Sequence, residues 1–146
     1  MTVVVDWLVE NRVIIWMSSG KVTGGQMAAG NESVRALIAQ ARANSVQEVQ
    51  IFVDIFRAEY SPMSLYAMRD WLTYLKEDGF DWHVICVKHP KLYRMCTNFA
   101  FRFMNRRIIV EDDLVEGLQF LEGKDETLPD LLDRYQRWIQ LQREAV

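Results

Sequence analysis

The sequence predicts an α/β domain built on a mixed, mostly parallel five-stranded sheet, with an N-terminal β-hairpin, covering helices and an extra C-terminal helix. Three observations carry that expectation. Short β-branched and aromatic runs alternate with longer segments whose apolar residues recur every three to four positions, which implies parallel strands joined by right-handed crossovers. The first two strand-like runs are separated only by Asn11-Arg12, so they pair antiparallel and make the sheet mixed. The chain of 146 residues is 50% hydrophobic and 25% charged, enough to bury a sizeable core and unlike a disordered or fibrous chain.

In order, residues 2–10 (TVVVDWLVE) and 13–17 (VIIWM) are the hairpin strands. Residues 18–21 (SSGK) break the pattern. Thr23 and Gln26 have the spacing of a capping box, and the helix they open runs over 24–43, with Met27, Val34, Leu37, Ile38 and Ala41 on its buried face. Residues 50–56 (QIFVDIF) form the central strand, apolar on both faces and carrying Asp54 near its end. A loop follows. Ser61 and Pro62 then begin a helix, as N-cap and first position, with Leu65, Met68, Leu72 and Leu75 as its stripe and Asp78-Gly79 as its end. Residues 80–88 (FDWHVICVK) are a strand stopped at His89-Pro90. Residues 91–105 read as a helix with Leu92, Cys96, Phe99 and Phe103 facing the core. A strand over 107–110 leads to a helix over 112–121 closed by Gly123. A polar linker, 124–127, joins this to a helix over 128–144 with Leu128, Leu131, Leu132, Tyr135, Trp138 and Ile139 on one side. The division expected is one domain over 1–123, then a linker and amphipathic helix over 124–146. That helix packs on the domain or on a partner, a second copy in a homodimer included.

The formal charge of −3 argues against bulk nucleic-acid binding. Cys86 and Cys96 both sit in apolar segments and read as reduced core residues of a cytoplasmic protein. No signal peptide is expected. The longest apolar runs fall far short of the roughly 20 residues of a membrane span, so membrane contact is at most peripheral. Neither cysteine belongs to a Cys-x-x-Cys pair, and His83 and His89 lie six residues apart, so no metal site is expected. The glycines from Gly20 to Gly25 do not form a phosphate loop, since Val22 stands where Ser or Thr is needed. No cofactor is implied. With no His or second carboxylate at a useful spacing from Asp54, the chain is not expected to be an enzyme.

Two places remain where function would sit. One is the carboxyl end of the central strand and the loop after it, where open α/β sheets place their ligands. Its candidates for partner binding are Asp54, Arg57, Glu59, Tyr60, Ser61 and Ser64. Ser61 and Ser64 can accept a phosphate, which the helix dipole would favour by about 0.3–1 kcal/mol. Equally, Ser61 serves as a plain N-cap worth about 1 kcal/mol, and Asp54 as a structural cap of the loop. The other place is a basic run. From Lys88 to Arg107 there are six Lys or Arg and no acid, which leaves −9 on the rest of the chain. Lys91, Arg94, Asn98 and Arg102 share one face of the 91–105 helix. Such a stripe suits an acidic partner, a phosphate or an anionic lipid head group, or else a solvated face paired with acids such as Asp112 and Asp113.

The order of elements resembles the STAS-like superfamily, in particular its SpoIIAA-like branch of small bacterial domains. The residues that carry the likeness are Gly20-Lys21-Val22-Thr23 before the first helix, Ile51-Phe52-Val53-Asp54, Asp81-Trp82, and the run from Arg107 to Leu121 (RIIVEDDLVEGLQFL). The resemblance covers about residues 3–121 and leaves out the last helix. It implies a non-enzymatic regulatory, protein-binding module, of which the anti-sigma-factor antagonists are examples. In those, a Ser in an Asp-Ser-Ser-Gly-Leu motif is phosphorylated. The equivalent stretch here is Ser61-Pro62-Met63-Ser64-Leu65, which lacks the Asp and the Gly. The alternative is a binding domain for a lipid or other amphipathic anion through the basic stripe.

Overall fold

The computed structural model describes residues 2–59, 77–88 and 107–145. They form a five-stranded mixed sheet in the order β1-β2-β3-β4-β5. The strands are β1 (Thr2–Val9), β2 (Val13–Lys21), β3 (Val49–Glu59), β4 (Phe80–Cys86) and β5 (Arg107–Glu111). β1 and β2 are the antiparallel hairpin, and every later pairing is parallel. Among the described residues three helices cover the sheet: α1 (Gly24–Ala43), α2 (Leu114–Lys124) and α3 (Leu131–Glu144). The α/β class, the hairpin and the mixed five-stranded sheet are those the sequence predicts. The helices expected to start at Ser61 and to span 91–105 lie outside the described residues, as does Cys96.

Both faces of the sheet are buried, which is why β2, β3 and β4 read as nearly unbroken apolar runs. On one face α1 lays Met27, Val34, Ile38 and Ala41 over Ile14, Trp16, Ile51 and Val53. Thr23 caps α1 in a complete capping box with Gln26, as its spacing predicts. The helix also buries Gly30 and Asn31, which the apolar pattern did not mark. Gly30 is where α1 meets the sheet most tightly: a Cβ there would stand 2.5 Å from the Trp16 ring and 2.9 Å from Val3. On the other face Ile15, Met17, Phe52, Val84 and Cys86 pack against Leu118 and Leu121 of α2 and Leu131, Tyr135 and Trp138 of α3.

Several boundaries differ from expectation. β2 does not stop at Met17. It runs to Lys21, and Ser18 is buried, accepting a hydrogen bond from the Trp16 indole at 2.8 Å. Because β2 is longer, β3 is longer too. Arg57, Ala58 and Glu59 pair with Ser19, Gly20 and Lys21 across a bulge opposite Ser18, so they are strand and not loop. Gly123 does not end α2, which continues to Lys124 and is capped by Asp113 and Asp125. An exposed helical glycine costs only about 1 kcal/mol, and here its neighbours outweigh that. The last helix begins at Leu131, not at residue 128, since Asp130 behind Pro129 supplies the N-cap by accepting from the Asp133 amide.

A second bulge interrupts the pairing of β3 with β4 between Val49 and Ile51. The Gln50 side chain accepts the Trp82 amide there at 2.8 Å, satisfying a donor that the ladder leaves over. Gln50→Met keeps the size and removes the acceptor. It is expected to cost about 1–2 kcal/mol in urea unfolding, the usual penalty for stranding a partly buried N–H.

Candidate functional site

β3 places the candidate residues, and the bulge opposite Ser18 decides how they face. Asp54 lies inside the strand, between Met17 of β2 and Cys86 of β4, and is 2% exposed. A carboxylate so deep needs donors. The Phe56 amide supplies one at 3.1 Å, and the Tyr135 hydroxyl of α3 supplies the other at 2.6 Å. The Tyr135 ring also meets Phe52 edge-on, with centroids 5.9 Å apart. Burial pushes the Tyr135 phenol up from its ordinary value, and the hydrogen bond to Asp54 and its charge add to the rise while Arg57 opposes it. The Cys86 thiol is likewise pushed up, by burial first and then by the negative charges of Asp54, Glu111 and Asp113. It is a buried free cysteine of low reactivity, as its apolar setting predicts. Among the described residues, Asp54 is a buried acceptor that bonds the Phe56 amide and ties α3 to the sheet.

Beyond the bulge, Phe56 and Ala58 still pack against the core while the residues between and after them face solvent. Arg57 and Glu59 are exposed at its carboxyl end. Tyr60, Ser61 and Ser64, the other candidates for partner binding and phosphorylation, lie outside the described residues. So do Lys91, Arg94, Asn98 and Arg102 of the expected basic stripe. Among the described residues the structure thus separates Asp54, which is buried, from Arg57 and Glu59, which are not.

Two clusters were not foreseen. At the amino ends of β4 and β5, Trp82 packs edge-on against Phe120, with centroids 4.9 Å apart. Lys124 Nζ lies 4.8 Å from the Trp82 ring and 5.0 Å from the Phe120 ring. Arg107 approaches the Trp82 ring at 5.8 Å while pairing with Asp81 at 2.7 Å. At the opposite end of β5, the carboxylates of Glu111, Asp112 and Glu116 bring oxygens within 4.8 Å of one another. They are the described residues that could hold a cation, although exposed acids often gather without one.

His83 sits in β4, as predicted, 2% exposed and stacked on Phe80 with centroids 6.4 Å apart. Burial lowers its pKa to about 3, so it is a neutral core residue at physiological pH. Tyr135 is the residue of this region that sequence reasoning missed. The signal available was an Asp in an apolar strand, which demands a donor, together with a Tyr on the apolar side of a helix, which brings one. Comparison of the chain with protein-family models, with curated proteins and with solved structures returns no match. Among the described residues no helix is long and apolar enough to cross a membrane.

Proposed function

We propose that the chain is a non-enzymatic regulatory module of STAS-like character, which binds a protein partner at the carboxyl end of β3. The observation that carries this reading is the pair of exposed, oppositely charged side chains, Arg57 and Glu59, where the central strand leaves the buried sheet. Loops at this end of a parallel sheet are the usual place for recognition, and Tyr60, Ser61 and Ser64 follow directly in sequence. Asp54 and Cys86 engage in packing and hydrogen bonds, which fits a scaffold better than a reaction centre.

The test is a photo-crosslinking residue at Ala58 in the full chain, expressed in its native cells. A discrete protein adduct is expected, reduced at least about fivefold by Arg57→Glu with Glu59→Arg, since reversing rim charges acts mainly on association. An adduct indifferent to that reversal, or none, refutes the reading. A second reading, an amphipathic anionic ligand, is favoured by one observation: Lys124 and Arg107 converge on the half-buried Trp82 ring. Binding to anionic vesicles that survives Arg107→Glu with Lys124→Glu would remove that support.

A further inference from the structure

β1 is one edge of the sheet: its inner side pairs with β2, and among the described residues no strand pairs with its outer side. An open edge is a template for another strand, and folded proteins blunt it with lysine, proline, a bulge or a covering loop. β1 has little of this. Its eight residues include one charge, Asp6, and neither lysine nor proline. Its bulge falls at the far end, between Trp7 and Val9. Val3, Val4 and Val5 are only half-buried, although Val3 and Val5 pack on the α1 side of the sheet and Val4 on the α3 side. The Trp7 amide tells which backbone groups stand open. It donates to Oδ1 of Asp6 at 2.8 Å, and so points away from β2. Backbone groups alternate sides along a paired strand, so Val3 and Val5 also present their N–H and C=O outward, while Val4 and Asp6 turn theirs to β2. α3 reaches the same edge. It runs from Asp54 of β3, bonded by Tyr135, to Asp6 of β1, bonded by Trp138, and its next turn carries Leu141, which is 61% exposed.

We propose that β1 pairs antiparallel with β1 of a second copy of the chain, about a two-fold axis at Val4, joining two five-stranded sheets into one. Addition of a strand to an open edge draws its affinity from main-chain hydrogen bonds, and a two-fold interface uses the same patch on both copies. The register follows from the residues. Outward-facing groups must meet one another, which puts the axis on a residue. An axis at Asp6 would set two carboxylates face to face, a destabilising pair. An axis at Val5 would call on the Trp7 amide, which Asp6 already holds. An axis at Val3 leaves less of the strand to overlap. The axis at Val4 uses Val3 and Val5 alone, each exchanging both backbone bonds with the other in the second copy. It sets valine against valine and Asp6 opposite Thr2, so no charge meets its like. That self-complementarity is what favours a second copy over a foreign strand. The edge is separated from the carboxyl end of β3 by β2, and the inference stands apart from the partner-binding reading.

The experiment is sedimentation equilibrium of the full chain, joined to disulfide crosslinking. At about 100 μM the wild type is expected to sediment at twice the mass of one chain, as a small interface of modest affinity would. Val5→Pro removes an outward amide and leaves the pairing to β2 intact, which an edge strand tolerates. It should weaken self-association at least about tenfold. Val4→Lys sets two ammonium groups together at the axis and gives the same comparison should Val5→Pro fail to fold by circular dichroism. Under mild oxidation Val4→Cys should form a disulfide between copies, located by peptide mapping, because directly opposite residues that do not bond each other bring their Cα atoms within disulfide range. Val5→Cys, offset from its own copy across the axis, should not. A wild type that sediments as a monomer at that concentration, a dimer that folded Val5→Pro or Val4→Lys leaves intact, or crosslinking of Val5→Cys in place of Val4→Cys overturns the proposal.

Discussion

Acidification from pH 6.5 to 3 is expected to remove about 4 kcal/mol of folding stability through His83 alone, because its pKa falls from 6.5 in the unfolded chain to about 3 in the fold. The sign follows from proton binding. Above pH 6.5 His83 is neutral in both states and contributes no slope. Between the two values the unfolded chain binds a proton that the folded chain refuses, so stability falls as pH falls, by about 1.4 kcal/mol per pH unit. Below about 3 both forms are protonated and the slope ends. The cause is burial: the imidazole lies in β4 between Ile51 and Ile108 of the neighbouring strands, stacked on Phe80. Carboxylates titrate over part of the same window, so the measurement is a difference. Urea midpoints of the wild type and of His83→Asn, taken at half-unit steps from pH 7.5 to 4, should diverge in slope below 6.5. Parallel curves would show that His83 is not held neutral.

Trp16→Ala is expected to cost about 3–5 kcal/mol, the range for emptying a large aromatic from a packed core. Trp16 is 1% exposed and presses on Gly30 of α1. That contact makes the effect of Gly30→Ala depend on what stands at position 16. In the wild type the added methyl would stand 2.5 Å from the Trp16 ring, so Gly30→Ala should destabilise by about 1–3 kcal/mol despite the better helix propensity of alanine. In the Trp16→Ala background the ring is gone, and the Val3 side chain, 2.9 Å from the added methyl, is the one close contact left and can shift into the space the ring vacates. The same Gly30→Ala should then stabilise by about 1 kcal/mol, from propensity and from partly filling the cavity. A double-mutant cycle in urea tests this reversal of sign, and additive costs would refute it.

The parts of the fold that the sequence made legible are those written in local pattern. β-branched runs without polar interruption marked strands buried on both sides. Thr23 with Gln26 marked the start of α1, where the capping box closes as spelled. The parts that were not legible depend on contacts distant in sequence. Arg57 and Glu59 look like loop residues, and only the extension of β2 through Lys21 makes them strand. The Ser18-Ser19-Gly20 stretch looks like a break, until the Trp16 indole gives Ser18 a buried partner. Gly30 and Asn31 were invisible to an apolar count, since what buries them is the close approach of helix to sheet. In the candidate site Asp54 was singled out from sequence, but as a strand-end residue near a loop. Its true partner, Tyr135, is 81 positions away, a separation no periodicity can bridge.

The two faces of the sheet are also finished at different moments of synthesis. α1 follows β2 at once, so the side bearing Ile14 and Trp16 can begin to close as soon as residue 43 has emerged. The other side waits. Phe52, Met17 and Leu8 lack Leu131, Tyr135 and Trp138 until those residues leave the ribosome. At about 5–20 residues per second, the roughly 80 residues between Phe52 and α3 take ~4–16 s. For that interval the Asp54 carboxylate waits without the Tyr135 hydroxyl that bonds it in the finished fold. A charge that burdens the finished core would then keep the unfinished one wetted, and Tyr135 would cover it only as the last helix arrives.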